Sequence, residues 1–137
     1  MEEQFAGSER RRSKRVRVSL SVIYRVNEPL TVRLLTADRE VKATVMDLSE
    51  NGMAIITDYD IPPATQLLIR FTLFKVDRED VSFYGPVEIV GEVRYSTKRD
   101  GECRLGINFV KIEEDDKREI GNFAKMALDL LDKERKQ

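Results

Sequence analysis

Apolar and polar residues alternate along the chain from residue 16 to residue 26, and this period of two restricts the fold more than any other feature. The apolar positions are every second residue: Val16, Val18, Leu20, Val22, Tyr24 and Val26. Successive side chains of a strand point to opposite faces, so the pattern indicates a strand with one face in a core and the other in solvent. Such a strand needs other strands beside it.

Five further segments have the composition of short strands: residues 41–48, 53–57, 66–74, 87–97 and 103–110. Asn51-Gly52 predicts a hairpin between the first two, because both residues tolerate a positive φ. Gly101 suits the turn between the last two. We read residues 30–36 as a short extended piece and residues 75–85 as a charged loop. Six antiparallel strands at this spacing favour a mainly β fold, a small closed barrel that leaves no sheet edge exposed.

The period changes in the C-terminal segment, residues 113–137. Apolar residues there recur at steps of three and four: Ile120, Phe123, Ala124, Ala127, Leu128 and Leu131. Four acidic residues, 113–116, stand in front of them, where the dipole of a helix favours negative charge. We predict a helix from about Asp115 to Lys133. Its apolar stripe either plugs or flanks the barrel, or it binds a partner or a second copy.

The composition excludes several classes of enzyme. The chain has no histidine, which excludes imidazole bases, Ser-His-Asp and Cys-His catalysis, and zinc sites that contain histidine. Its single cysteine, Cys103, has no cysteine to pair with and no identifiable base. The acids at 113–116 fit a helix dipole better than a metal site. We expect a binding protein with no catalytic residues, no metal and no cofactor.

The chain has the size and polarity of one soluble domain. Its 137 residues are 41% hydrophobic and 36% charged, enough for one buried core. Its apolar runs are far shorter than the roughly 20 residues of a membrane helix, and its start does not resemble a signal peptide. A lone cysteine gives no sign of an oxidising compartment. We expect a cytoplasmic protein, monomer or homodimer, without membrane insertion.

A cluster of basic residues leads directly into the first strand. Between Glu9 and Arg17 six basic residues stand against one acidic residue, a local net charge of +5, although the whole chain carries −1. Residues 1–9 have no periodicity and are predicted to be flexible. A basic cluster is often only a solubilising tail, but the adjoining strand fixes this one to the fold at one end. The overall charge argues against DNA binding, and the scarcity of aromatic residues argues against a barrel for single-stranded nucleic acid.

Two short motifs stand at strand edges. Arg11-Arg12-Ser13-Lys14-Arg15 has the spacing RxxxR, and Arg10 precedes it. Asp47-Leu48-Ser49-Glu50-Asn51-Gly52 has the spacing DxSxxG, on the turn between the second and third strands. By itself the second motif is more often an ordinary hairpin turn, because aspartate and serine bond to local backbone.

Together the two motifs resemble those of the PilZ domain family, the bacterial receptors for cyclic di-GMP. The similarity covers about Glu9 to Val110 and includes the last strand, residues 104–109. It implies a six-stranded antiparallel barrel of the PilZ type over residues 10–112, with an arginine arm, residues 10–15, that folds over the ligand. The ligand-binding residues that it implies are Arg10, Arg11, Arg15, Asp47, Ser49 and Gly52.

The side-chain chemistry fits that ligand. Guanine O6 and N7 accept two hydrogen bonds from an arginine fork, for which Arg11 and Arg15 are candidates, and an arginine plane stacks on a purine. Asp47 can accept from guanine N1–H and the N2 amine, and Ser49 and the Gly52 backbone suit close polar contact. In the family, a basic residue directly before RxxxR accompanies a stacked pair of ligands, so Arg10 predicts two molecules of cyclic di-GMP.

The resemblance implies an effector that closes its arm over cyclic di-GMP and signals to an unidentified protein partner, in motility, attachment or exopolysaccharide control. The alternative is an adaptor in pilus or flagellar assembly that resembles the family but binds no nucleotide. Relatives of that kind lack both motifs, so the presence of the motifs favours the receptor.

Overall fold

The computed structural model describes residues 16–136, and side chains within residues 20–130. Six antiparallel strands follow one another around a closed barrel in the order β1-β2-β3-β6-β5-β4. The strands are β1 (Val16–Glu28), β2 (Val41–Ser49), β3 (Gly52–Thr57), β4 (Gln66–Asp77), β5 (Asp80–Arg99) and β6 (Glu102–Lys111). The structure therefore confirms the predicted mainly β, six-stranded barrel. The predicted flexible segment 1–9 and the arginine arm lie outside the described residues.

The barrel interior is filled by every second side chain of each strand. In β1, Val22, Tyr24 and Val26 are buried, while Ser21 and Arg25 are exposed. The alternation of apolar and polar residues thus sets which face of β1 is buried. The strands together contribute the large buried side chains of the core, among them Val45, Leu48, Met53, Ile55, Leu67, Ile69, Leu73 and Leu105.

Residues 30–36 are helical, which corrects the prediction of an extended piece. Helix α1 (Leu30–Arg33) begins after Pro29, whose carbonyl accepts from the Val32 and Arg33 amides at 3.1 Å each, and a 3-10 turn (Leu34–Thr36) continues it. Leucine and valine occur in both extended and helical segments. A strand needs a paired neighbour, however, and β1 and β2 are already paired on both sides.

Residues 75–85 are not a loop, which corrects a second prediction. β4 and β5 continue as a two-stranded hairpin through the pair Asp77 and Asp80, and its turn holds Arg78 at a φ of 60°. Both faces of this hairpin reach solvent over much of its length, so charged residues are tolerated and no one-sided pattern marks the strands. Phe83 is 75% exposed there.

The predicted C-terminal helix is confirmed as α2 (Glu114–Lys136), with acidic residues in its first turn. Ile120, Phe123 and Ala124 are buried in its contact with the barrel. The Phe123 ring meets the Phe74 ring edge to face, with centroids 5.1 Å apart. β1 pairs with β4 only as far as Arg70, and α2 covers the edge beyond.

One backbone hydrogen bond shows directly that α2 covers this edge. The Val76 amide in β4 donates to the Met126 sulfur in α2 at 3.4 Å. The helix therefore flanks the barrel and protects an open edge of β4.

Along residues 16–136 no helix has the length and apolar character that crossing a bilayer requires.

Candidate ligand-binding site

The first described residues of β1 lie beside the DxSxxG hairpin. Val16 is the register partner of Leu48, and Arg17 is the register partner of Asp47. Arg15 directly precedes Val16 in the sequence. β1, which directly follows the arginine arm in the sequence, therefore begins next to Asp47. The predicted ligand-binding residues Arg10, Arg11 and Arg15 themselves lie outside the described residues.

The hairpin itself is held by its serine. The Asn51 amide donates to Ser49 Oγ at 3.2 Å, and Ser49 Oγ donates to the Gly52 carbonyl at 3.4 Å. Ser49 is 1% exposed, and Gly52 is also buried. In this structure the Ser49 hydroxyl stabilises the turn, and its predicted contact with a ligand stays a prediction.

The turn differs from the one predicted. Ser49 pairs with Gly52, so Glu50 and Asn51 form the loop and Gly52 is the first residue of β3. Neither Asn51 nor Gly52 has a positive φ, which corrects the basis of that prediction. The turn between β5 and β6 does contain positive φ values, at Asp100 (52°) and at Gly101 (81°), the glycine predicted for that turn.

A row of paired residues crosses the face of the sheet that carries Asp47, and its two middle residues, Ala54 (1% exposed) and Gly106, are buried. Asp47 pairs with Ala54, Ala54 with Gly106, and Gly106 with Tyr95. Register partners share a face of the sheet, so the row runs from a carboxylate over two small residues to an aromatic ring. Tyr95 is 46% exposed. The row offers an acceptor for hydrogen bonds at one end and a stacking surface at the other.

Arg104 in β6 completes the charged end of this surface. Its Nη2 donates to Asp47 Oδ2 at 3.4 Å, between residues 57 positions apart in the sequence. The Asp47 side chain is 19% exposed and the Arg104 side chain is 47% exposed. Arg104 is not among the site residues that the two motifs predict. Its outward position in β6 was readable from the alternation, but its proximity to Asp47 depends on the register of β2, β3 and β6.

A cavity of about 380 Å³ opens on a different part of the barrel, along β1, β4 and β5. Its lining includes Ile23, Leu68, Arg70, Glu88 and Lys111, and none of the predicted ligand-binding residues that the structure describes, which are Asp47, Ser49 and Gly52. This cavity is therefore separate from the surface around Asp47. Within the described part of the chain, no group of three or more Asp, Glu and Cys side chains is placed to hold a metal ion.

Solved structures of PilZ proteins share this fold. The inhibitor of motility MotI/DgrA of Bacillus subtilis superposes with a TM-score of 0.64 at 15% identity, over 84% of this chain and 49% of that one. The PilZ domain of Escherichia coli YcgR with c-di-GMP superposes with a TM-score of 0.58 at 15% identity, over 93% of this chain and 99% of that one. PlzA of Borreliella burgdorferi in complex with c-di-GMP superposes with a TM-score of 0.56 at 17% identity, over 89% of this chain and 44% of that one.

This chain spans about half the length of the MotI and PlzA chains. No curated protein matches its sequence. The sequence pattern of the PilZ domain matches residues 9–125, which include both motifs, all six strands and the first half of α2. The chain belongs to the PilZ domain family.

Proposed function

We propose that this protein is a receptor for cyclic di-GMP that binds its ligand between the arginine arm and the outer surface of β2, β3 and β6. The observation that carries the proposal is the pairing of Arg17 with Asp47, since Arg17 follows the RxxxR motif by two positions and Asp47 begins the DxSxxG motif. The cyclic di-GMP in the solved YcgR and PlzA structures supports the identity of the ligand.

Chain geometry allows the arm to reach this surface. Five peptide units separate Arg11 from Val16, and each extended residue spans at most roughly 3.6 Å. Arg11 and Arg15 can therefore extend over a ligand seated beside Asp47, and neither can move far from it. Their guanidinium groups supply donors for guanine and for phosphate, which the Asp47 carboxylate cannot do.

The energetics favour closure of the arm as a switch. Ordering six residues, 10–15, costs on the order of 6–12 kcal/mol if they are free beforehand. A ligand with a micromolar dissociation constant supplies about 8 kcal/mol net. No single contact can hold the arm, so several charged and stacking contacts must form together. Closure would then create a new surface, which a separate protein partner in the cytoplasm reads.

Titration calorimetry of cyclic di-GMP against the wild type and the Arg15→Ala and Asp47→Ala variants tests this function. We expect Arg15→Ala to abolish binding and Asp47→Ala to reduce the preference for guanine more than the total affinity. Arg70→Ala is the matched control, because Arg70 also lies on the outer surface and pairs with a carboxylate, Glu40, at 3.3 Å.

The first two results test residues and the third tests the function. Unchanged affinity in Arg15→Ala would remove the arm from the site, and normal binding by Asp47→Ala would leave Asp47 with only a structural role in β2. A wild-type chain that bound no cyclic di-GMP would favour the adaptor in pilus or flagellar assembly over the receptor.

A further inference from the structure

We propose that Arg104 determines specificity for guanine, by donating to guanine O6 while Asp47 accepts from the neighbouring N1–H and N2 amine. This inference rests on the proposed function, because it assigns a role in the same site. It concerns a residue outside both motifs, and it follows from the contact between Arg104 and Asp47.

The two side chains present complementary groups side by side. Asp47 carries only acceptors when it is ionised, and Arg104 carries only donors. One guanidinium nitrogen and one carboxylate oxygen are 3.4 Å apart, on the same outer face of the barrel. A ligand that binds along this pair therefore meets hydrogen-bond acceptors at Asp47 and a donor next to them at Arg104.

The pairing edge of guanine has the matching order. Its N2 amine and N1–H are donors, and O6 beside them is an acceptor. Asp47 can take both donors through its two oxygens, and O6 then lies beside Arg104. Adenine presents an amine donor where guanine has O6, so it would place a donor against the Arg104 donors. A site built to satisfy such groups rejects an analogue that lacks them.

The present contact leaves Arg104 able to change partner. Strong arginine–carboxylate pairs are bidentate, with distances of about 2.7–2.9 Å. Between these two described residues the contact is a single one, from Arg104 Nη2 to Asp47 Oδ2 at 3.4 Å, and the Arg104 side chain is 47% exposed. The guanidinium therefore has donors directed elsewhere. When guanine binds, its N1–H or N2 amine would donate to the Asp47 oxygen that now accepts from Arg104. Arg104 would then donate to guanine O6 instead.

The test measures cyclic di-GMP by calorimetry, and cyclic di-AMP by competition, on the wild type, Arg104→Ala and the control Arg70→Ala. We expect Arg104→Ala to weaken cyclic di-GMP binding by about 10- to 100-fold. Binding of cyclic di-AMP should be unchanged or tighter, and Arg70→Ala should behave as the wild type. The loss should persist at high salt, since a charge effect alone would shrink there.

Three results would overturn the assignment. Unchanged affinity in Arg104→Ala would leave the ion pair with Asp47 a purely structural contact. An equal loss for both dinucleotides, or a loss that disappears at high salt, would make Arg104 a general phosphate attractor. Thermal unfolding of Arg104→Ala should match the wild type, because the side chain is half exposed.

Failure of the wild type to bind cyclic di-GMP would instead reject the proposed function, and the Arg104 role with it.

Discussion

The ring of Tyr95 in β5 occupies the space where a side chain at Gly106 in β6 would begin. A Cβ at Gly106 would lie 1.9 Å from Tyr95 Cε2 and 2.3 Å from Cζ, far inside any allowed contact. The two residues are register partners on the outer surface, in the row that starts at Asp47. The missing side chain therefore makes room for the ring beside the candidate site, where a purine could stack on it.

Gly106→Ala should displace the ring and destabilise the fold by about 1–3 kcal/mol, the usual cost of a forced overlap. Urea unfolding measures this change. The double variant Gly106→Ala with Tyr95→Ala should recover most of the loss, since the ring is then gone. A double variant no more stable than Gly106→Ala alone would show that the glycine serves the backbone and not the ring.

Arg10→Ala should change the number of bound ligands more than the affinity for the first one. The basic residue before RxxxR predicts a stacked pair of cyclic di-GMP molecules, so its removal should lower the stoichiometry in calorimetry from two per chain to one. Under the proposed function, Arg11 and Arg15 would still hold that first molecule. A wild-type stoichiometry of one, or no change in the variant, would contradict the stacked pair.

Phe123→Ala should cost about 3–5 kcal/mol of unfolding free energy, the usual price of removing a buried phenylalanine. Phe123 is 3% exposed and meets the Phe74 ring, so its loss empties the contact between α2 and the barrel. Leu130→Ala is the control, because Leu130 on the same helix is 42% exposed and should cost less than about 1 kcal/mol. Equal costs would mean that Phe123 does not anchor the helix.

The sequence predicted those parts of the fold in which one face is buried and the other is not. The alternation in β1 and the three- and four-residue steps of α2 both arise from that asymmetry. The hairpin around Phe83 has no such asymmetry, because much of it is solvated on both faces. It therefore carried no pattern to find.

The candidate site was predictable only where its residues are local in sequence. Ser49 and Gly52 belong to one turn, and a short motif reveals them. Asp47 and Arg104 meet across β3 through strand register, 57 positions apart. Their proximity follows only when it is known that β3 lies between β2 and β6 and in which register these strands pair. Arg104 could therefore not be predicted as a site residue from the sequence.

The Tyr24 hydroxyl makes stability depend on pH in the alkaline range. Burial raises the pKa of Tyr24 from its ordinary value of 10.0 to about 12, and its hydrogen bond with Thr57 Oγ1 at 2.8 Å partly offsets that effect. Because the pKa is higher in the folded state, the contribution to stability is complete below pH 10 and is lost as the pH rises through 12. A shift of this size corresponds to about 3 kcal/mol.

Urea unfolding of the wild type and Tyr24→Phe across this range measures the contribution. Tyr24→Phe should cost about 1–3 kcal/mol at neutral pH, because Thr57 loses its partner. The gap should narrow between pH 10 and 12, since phenylalanine has no proton to lose. Tyr84→Phe is a useful comparison, because hydrogen bonding to Asp116 also raises the pKa of Tyr84 to about 12, but outside the barrel interior. A gap between wild type and Tyr24→Phe that stayed constant up to pH 12 would show that the buried hydroxyl does not resist ionisation.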